Sequence, residues 1–261
     1  MKRLKVGGVE VPYREKKVYT GEGGKYLEVD YYPISLQERN KKRKQKIKES
    51  LPKQKNLNDK NARRNLTRLL NNNFTDRDLV LHLTYKDGYL PKSEKEARRD
   101  VTNFLRRVKH YRKKQDLPEL KYIAVIEYRE QEEGKKPIRL HHHIVLSDMD
   151  RDVIENLWGK GRANADRLKA DEFGYEALGK YITKDPKGSK RWTQSKNLKT
   201  PTVKVNDFRF SKRKIEEMSK YPDDKFLFEK LYPGYIFTKC DVQVNDIVGG
   251  TYMYLKMRKL E

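Results

Sequence analysis

Three of the chain's five histidines stand in a row, His141-His142-His143. They sit in Ile138–Leu146 (IRLHHHIVL), a run rich in strand formers. Along a strand, successive side chains point to opposite faces. Arg139, His141 and His143 therefore share one face, and Leu140, His142 and Ile144 share the other, which is the core side. Two imidazoles one strand repeat apart can chelate a single divalent ion. An earlier run, 121–128 (KYIAVIEY), also reads as a strand, and the polar segment 132–137 between the two makes a hairpin the simplest connection. A turn centred near Gly134 sets Glu127 roughly opposite His141. Two neutral histidines and one carboxylate leave coordination positions open, which suits Mg2+ or Mn2+ with a substrate oxygen still to be held. A structural zinc site would be closed by four protein ligands, and the sequence offers no evident fourth.

A second group lies downstream, in Tyr181-Ile182-Thr183-Lys184. The stretch 171–185 (DEFGYEALGKYITKD) reads as a helix despite Gly174 and Gly179. Positions i and i+3 face one side of a helix, so Tyr181 and Lys184 can act at one phosphate, with Lys180 beside them. A free tyrosine titrates near ~10 and becomes a useful nucleophile only when its proton is taken or its pKa is lowered. Taken singly, each group has a plainer explanation: a solvated histidine triplet, or a core tyrosine beside a surface lysine.

The elements that must hold these groups are legible around them. Residues 79–85 (LVLHLTY) form a strand candidate closed by Lys86-Asp87-Gly88. Ser93 with Glu96 is a capping box that opens a helix with Ala97, Val101, Phe104, Leu105 and Val108 at helical spacing. Asp150 caps a short helix over 151–158, stopped by Gly159. A helix over 59–70 sets Ala62, Leu66, Leu69 and Leu70 against Lys60, Arg63, Arg64 and Arg68. Another helix-like stretch runs from the basic residues 39–44 to just before Pro52. Residues 5–11 and 25–32 are strand-like pieces of a loose N-terminal extension. Residues 202–210 suggest a strand, 211–220 a polar helix, and 251–257 a tyrosine-rich end. This organisation divides into a basic, partly helical region 1–75, a compact α+β domain 76–215, and an extension 216–261 packed on that domain.

Lysine and arginine number 61 against 38 acidic residues, a net charge of +23. Such a surplus points to a polyanionic partner, nucleic acid first and an anionic membrane surface second. Arg63, Arg64, Arg68, Arg106 and Arg107 are the expected phosphate contacts, with Lys180 nearer the tyrosine. Tyr85, Trp158 and Trp192 read as core aromatics, with base stacking as their alternative use. No apolar run approaches the ~20 residues of a membrane helix. The first residues lack the apolar centre of an export signal, so a cytoplasmic protein is expected. The single Cys240 excludes a disulfide framework and a multi-cysteine zinc cluster.

Taken in this order, the segments resemble the HUH superfamily of single-strand endonucleases, in particular the replication initiators of rolling-circle plasmids and phages. The resemblance runs from about residue 41 to 214. Leu81-His82-Leu83-Thr84 is similar to the family's first motif, a strand ending in threonine. His141-His142-His143 is similar to its histidine–hydrophobic–histidine motif, with His142 in the slot that is usually apolar. Glu127 matches the carboxylate of the preceding strand, and Tyr181-Ile182-Thr183-Lys184 matches the tyrosine motif. Ser195-Lys196-Asn197-Leu198 looks like a segment of the phage-type initiators.

The resemblance implies an α+β fold, with a central antiparallel sheet of about five strands and helices packed on one face. It implies metal ligation by Glu127, His141 and His143, attack by Tyr181 on single-stranded DNA, and a 5′-phosphotyrosine link that frees a 3′-OH primer, with Lys184 assisting. Position 177 is alanine, so a second tyrosine four residues before the first is missing and a one-tyrosine enzyme is implied. Asp185 is then the candidate base for a terminating water. The expected partners are a single-stranded or hairpin origin, a host helicase and a host DNA polymerase in a bacterial cytoplasm, with no membrane. No G-x-x-x-x-G-K-[ST] loop is present. A relaxase or single-strand transposase with the same chemistry, and a non-catalytic basic nucleic-acid-binding protein, remain as alternatives.

Overall fold

The computed structural model describes residues 4–6, 9–34, 52–129, 137–184, 191–245 and 250–260. In chain order the strands are β1 (Leu4–Val6), β2 (Val9–Val11), β3 (Tyr13–Thr20), β4 (Tyr26–Pro33), β5 (Leu79–Leu83), β6 (Tyr122–Arg129), β7 (Ile138–Leu146), β8 (Ala163–Arg167), β9 (Thr193–Gln194), β10 (Thr202–Asn206), β11 (Tyr235–Asn245) and β12 (Gly250–Lys259). The helices are α1 (Pro52–Asn73), α2 (Glu94–Lys114), α3 (Arg151–Trp158), α4 (Glu176–Ile182), α5 (Lys212–Ser219) and α6 (Lys225–Leu231). The fold is α+β, with two five-stranded antiparallel sheets. Among the described residues no helix is long and apolar enough to cross a membrane.

Two compact units form, one from residues 62–199 and one from 1–61 together with 200–261. In the central unit the sheet order is β8-β5-β7-β6-β9. The histidine-bearing β7 is thus the middle strand. Leu79, Leu81, Leu83, Ala124, Ile144 and Leu146 pack on one face against Val101, Phe104 and Val108 of α2 and Ile154 and Trp158 of α3. Ile123, Val125 and Val145 emerge on the other face, under Leu66 and Leu70 of α1 and Ile182 of α4. The helices therefore cover both faces rather than the single face expected. The strands alternate large apolar residues on each side, so neither face can be left to water.

Local signals explain the helix ends. Ser93 Oγ accepts from Glu96 N–H at 3.2 Å, and Glu96 Oε2 accepts from Lys92 N–H at 2.8 Å, so the start of α2 is capped from both directions. Asp150 caps α3 through Val153 N–H at 3.0 Å. Gly159 closes α3 with φ +67°, a left-handed position that glycine takes without strain. The segment around Ser195 is an edge anchor on β6. Ser195 N–H reaches Tyr122 O at 3.0 Å, and its Oγ accepts from Tyr122 N–H at 3.1 Å.

The outer unit has a sheet in the order β10-β3-β4-β12-β11. Tyr13, Leu27, Val29, Tyr31, Met253, Leu255 and Met257 pack there with Ile215 and Met218 of α5 and Phe228 of α6. The pieces read as a loose N-terminal extension are thus sheet strands, and the tyrosine-rich end is their neighbour: Tyr31 pairs with Met253 and Val29 with Leu255. Long-range strand pairing of this kind puts the unit boundaries near 61 and 199, not near 75 and 215. The helix-like stretch before Pro52 lies outside the described residues.

Candidate active site

Antiparallel pairing fixes the geometry. Glu127 of β6 stands opposite His141 of β7, as the hairpin implied, and His143 lies opposite Val125 on one side and His82 of β5 on the other. His82, Glu127, His141 and His143 consequently share the face that α1 and α4 cover. Sequence reading missed His82 as a member of this cluster. The signal was present: Leu79, Leu81 and Leu83 alternate into the core, so His82 had to face the other way.

The donor atoms converge. His143 Nε2 lies 3.2 Å from Glu127 Oε2 and 3.2 Å from His141 Nε2, and His141 Nε2 lies 3.4 Å from Glu127 Oε2. The ligand atoms of His82, His141 and His143 all lie within 4.8 Å of one another. Metal–imidazole bonds of about 2.0–2.1 Å separate neighbouring donors by about 3.0 Å in an octahedron and about 3.3 Å in a tetrahedron. The spacings found here fit that requirement. The tautomer of His141 fits as well. Its Nδ1 lies 2.8 Å from Arg139 O, a pure acceptor, so the proton is on Nδ1 and the Nε2 lone pair faces Glu127 and His143. Burial, then the neighbouring His141 and His82, push the His143 pKa down to about 3. Burial, His141 and Arg162 lower that of His82. Both rings are therefore neutral near pH 7 and ready to act as ligands.

The tyrosine helix is held by α1. Asn71 Oδ1 accepts from Tyr175 N–H at 2.8 Å, and Asn71 Nδ2 donates to Phe173 O at 3.1 Å. Between these anchors Gly174 has φ +75°, and a Cβ there would fall 2.4 Å from Asn71 Oδ1. Asp171 accepts from Phe173 N–H and Ala177 N–H, each at 2.8 Å. Residues 171–174 are accordingly a turn, and α4 is shorter than the helix read from the sequence. Gly179 lets α4 approach α1, since a Cβ there would lie 2.9 Å from Thr67 Oγ1.

This mounting presents Tyr181, 60% exposed, with its ring edge-on to His143 at a centroid distance of 5.2 Å. Tyr181 and Lys184 line one open cavity of about 480 Å3 together with His82, Thr84, Glu127 and His141. Arg139, on the same strand face, lines it too and is held by Asp87 at 2.7 Å. Tyr175 is buried, with its hydroxyl on Asp76 at 2.7 Å. Asp185 lies outside the described residues.

The basic residues separate into groups. Arg63 and Arg106 are exposed, and Arg64 is half-buried. Arg68 is buried and sits 3.4 Å from Asn65 Oδ1, so it is not displayed to a strand. Arg107 donates to Leu157 O at 2.9 Å and Trp158 O at 3.1 Å, satisfying the C-terminal carbonyls of α3. Lys180 pairs with Glu176 one turn back, at 3.0 Å, and is not among the residues lining the cavity. Tyr85 and Trp158 are core aromatics.

The central unit is thus an α+β sheet structure with a metal-competent histidine–carboxylate cluster beside an exposed tyrosine. Residues 78–186, less than half of the chain, match the sequence model of a family of replication-associated proteins, those of the ORF2 type. The match runs from β5 through α4 and includes all four cluster residues, Tyr181 and Lys184. It associates this unit with replication. No curated protein and no solved structure matches the chain.

Proposed function

We propose that the central unit nicks single-stranded DNA at a replication origin by transesterification. Tyr181 Oη attacks a phosphodiester, the Oη–P bond forms as the P–O3′ bond breaks, and the strand leaves with a 3′-OH while its 5′-phosphate stays on Tyr181. The phenolic proton is lost in the attack, and the departing O3′ takes one up. Lys184, three residues along, offers positive charge to the tyrosyl oxygen or to a phosphate oxygen. His82, His141, His143 and Glu127 would hold a divalent ion, which when bound polarises the scissile phosphate and offsets charge on the leaving oxygen. A set of three imidazoles and one carboxylate is softer than Mg2+ prefers and suits Mn2+ better. The DNA is a single strand or an extruded hairpin, and the 3′-OH would prime a host polymerase after a host helicase opens the duplex.

The observation that carries this reading is the position of Tyr181, edge-on to His143 and in one cavity with the rest of the cluster. A non-catalytic binding protein has no need of an exposed tyrosine at that place. The test is covalent capture. The protein is mixed with random single-stranded oligonucleotides and Mn2+, then run on a denaturing gel. The reading expects a shifted band that EDTA and Tyr181→Phe each abolish. A shift that survives Tyr181→Phe, or tight binding with no shift on either linear or hairpin substrates, would refute it.

A further inference from the structure

A second cavity, of about 340 Å3, lies on the opposite face of the same sheet, between α2 and strands β6 and β9. Its walls are apolar where the helix meets the sheet, at Val101, Leu105, Ala124 and Ile126. Its remaining helix side carries three cations: Arg98, held by Glu94 at 2.5 Å, together with Arg106 and Lys109. The middle histidine of the triplet, His142, lines it too.

His142 is fully buried, and its Nδ1 has no hydrogen-bond partner among the described residues. Its Nε2 lies 2.8 Å from the Tyr85 hydroxyl. That hydroxyl is also bonded to Asp100, whose carboxylate can only accept. The single phenolic proton therefore goes to Asp100, the hydroxyl accepts from His142 Nε2–H, and Nδ1 is left as a bare acceptor. Buried polar atoms in native proteins are nearly always paired. An unpaired acceptor on a ring that lines a cavity calls for a ligand with a donor. The cations call for negative charge on the same ligand, and the apolar walls for a flat body between the two. The volume lies at the small end of the range for ligand pockets, about 300–1,000 Å3.

We propose that this cavity binds one nucleotide, with its base between the apolar walls, a base N–H donated to His142 Nδ1, and its phosphate at Arg98, Arg106 and Lys109. The nucleotide is either free or an unstacked residue of a DNA strand. Binding here requires no strand cleavage, so the inference stands apart from the nicking reading.

The test is equilibrium titration of the full chain with each deoxynucleoside monophosphate, with inorganic phosphate and with a short single strand. At least one mononucleotide is expected to bind about tenfold or more tightly than phosphate. Thr102→Trp, at an exposed lining position of α2, is expected to weaken that binding by about tenfold or more. Ala124→Leu, which fills the cavity from the sheet, should do the same. Competition by the single strand, with its own affinity lowered in Thr102→Trp, would identify a strand residue as the occupant. Lack of competition would identify the free nucleotide. Equal affinity for phosphate and nucleotide, nucleotide binding indifferent to both substitutions, or no nucleotide binding at all would overturn the proposal.

Discussion

Replacing Gly179 by alanine should change stability in opposite directions depending on what stands at position 67. In the parent, the new methyl would lie 2.9 Å from Thr67 Oγ1, while the next atoms, Leu70 Cδ1 and Thr67 Cα, are at ordinary contact distances of 3.6 and 3.7 Å. Alanine gains about 1 kcal/mol over glycine in a helix. Overpacking against a buried residue costs about 1–3 kcal/mol, and Thr67 is buried. The expected net effect of Gly179→Ala is a loss of about 1 kcal/mol. Thr67→Ala removes the one close atom, so Gly179→Ala should then stabilise by about 1 kcal/mol. The resulting coupling, about 2 kcal/mol, is ordinary for residues in contact. Urea unfolding followed by tryptophan fluorescence measures it cleanly, because Trp158 and Trp192, the chain's two tryptophans, both belong to the central unit. Tyr181 rides two residues beyond Gly179, so capture of DNA should drop in the single variant and return in the double. The same sign for Gly179→Ala in both backgrounds would refute the argument that this glycine seats the tyrosine helix.

Acid should destabilise the metal-free central unit before carboxylates titrate. Burial holds both His142 and His143 at a pKa of about 3, so the unfolded chain takes up their protons first as pH falls through about 6.5. The stability they contribute is complete above that pH and is lost towards pH 3. Urea unfolding in EDTA should show a loss of about 2.5 kcal/mol between pH 7 and 5.5, and a loss below about 0.5 kcal/mol would contradict it. His82→Ala should weaken Mn2+ binding by about 10–100-fold, read by calorimetry, and an unchanged affinity would remove His82 from the ligand set. Arg106→Ala should weaken DNA binding and lower the salt slope by about 1. Arg107→Ala should leave that slope unchanged but cost about 1–2 kcal/mol of stability through the lost bonds to the α3 carbonyls.

What the sequence disclosed follows from the range of the forces involved. The alternation of β7 and a short polar connection are local, so the pairing of Glu127 with His141 was legible. His82 was legible in principle, but a lone histidine among leucines drew notice as part of a strand rather than as a donor. The turn at 171–174 was hidden because it depends on Asn71, a hundred residues away, which accepts and donates on either side of Gly174. The burial of Arg68 and the engagement of Arg107 with α3 were equally invisible, since a charge pattern cannot tell a solvated arginine from one spent on backbone carbonyls. The outer sheet went unread for the most extreme version of the same reason. Its strands are polar enough to pass for extensions, β10 being exposed along its whole length, and their partners lie at the other end of the chain.

That outer sheet sets an order on biosynthesis. Residues 62–199 emerge as a continuous segment and contain every strand of their own sheet. β3 and β4 emerge earlier but lack β10 and β12, and at about 5–20 residues per second the wait for them lasts about 10–40 s. During that interval a nascent chain carries a finished histidine unit and a bare tyrosine-rich hairpin with two unsatisfied edges. A ribosome that stops short of β12 releases the same species permanently. Such a product keeps the whole Tyr181 cluster while exposing strand edges prone to aggregation and degradation, so the outer sheet serves as a check that translation has run to its end.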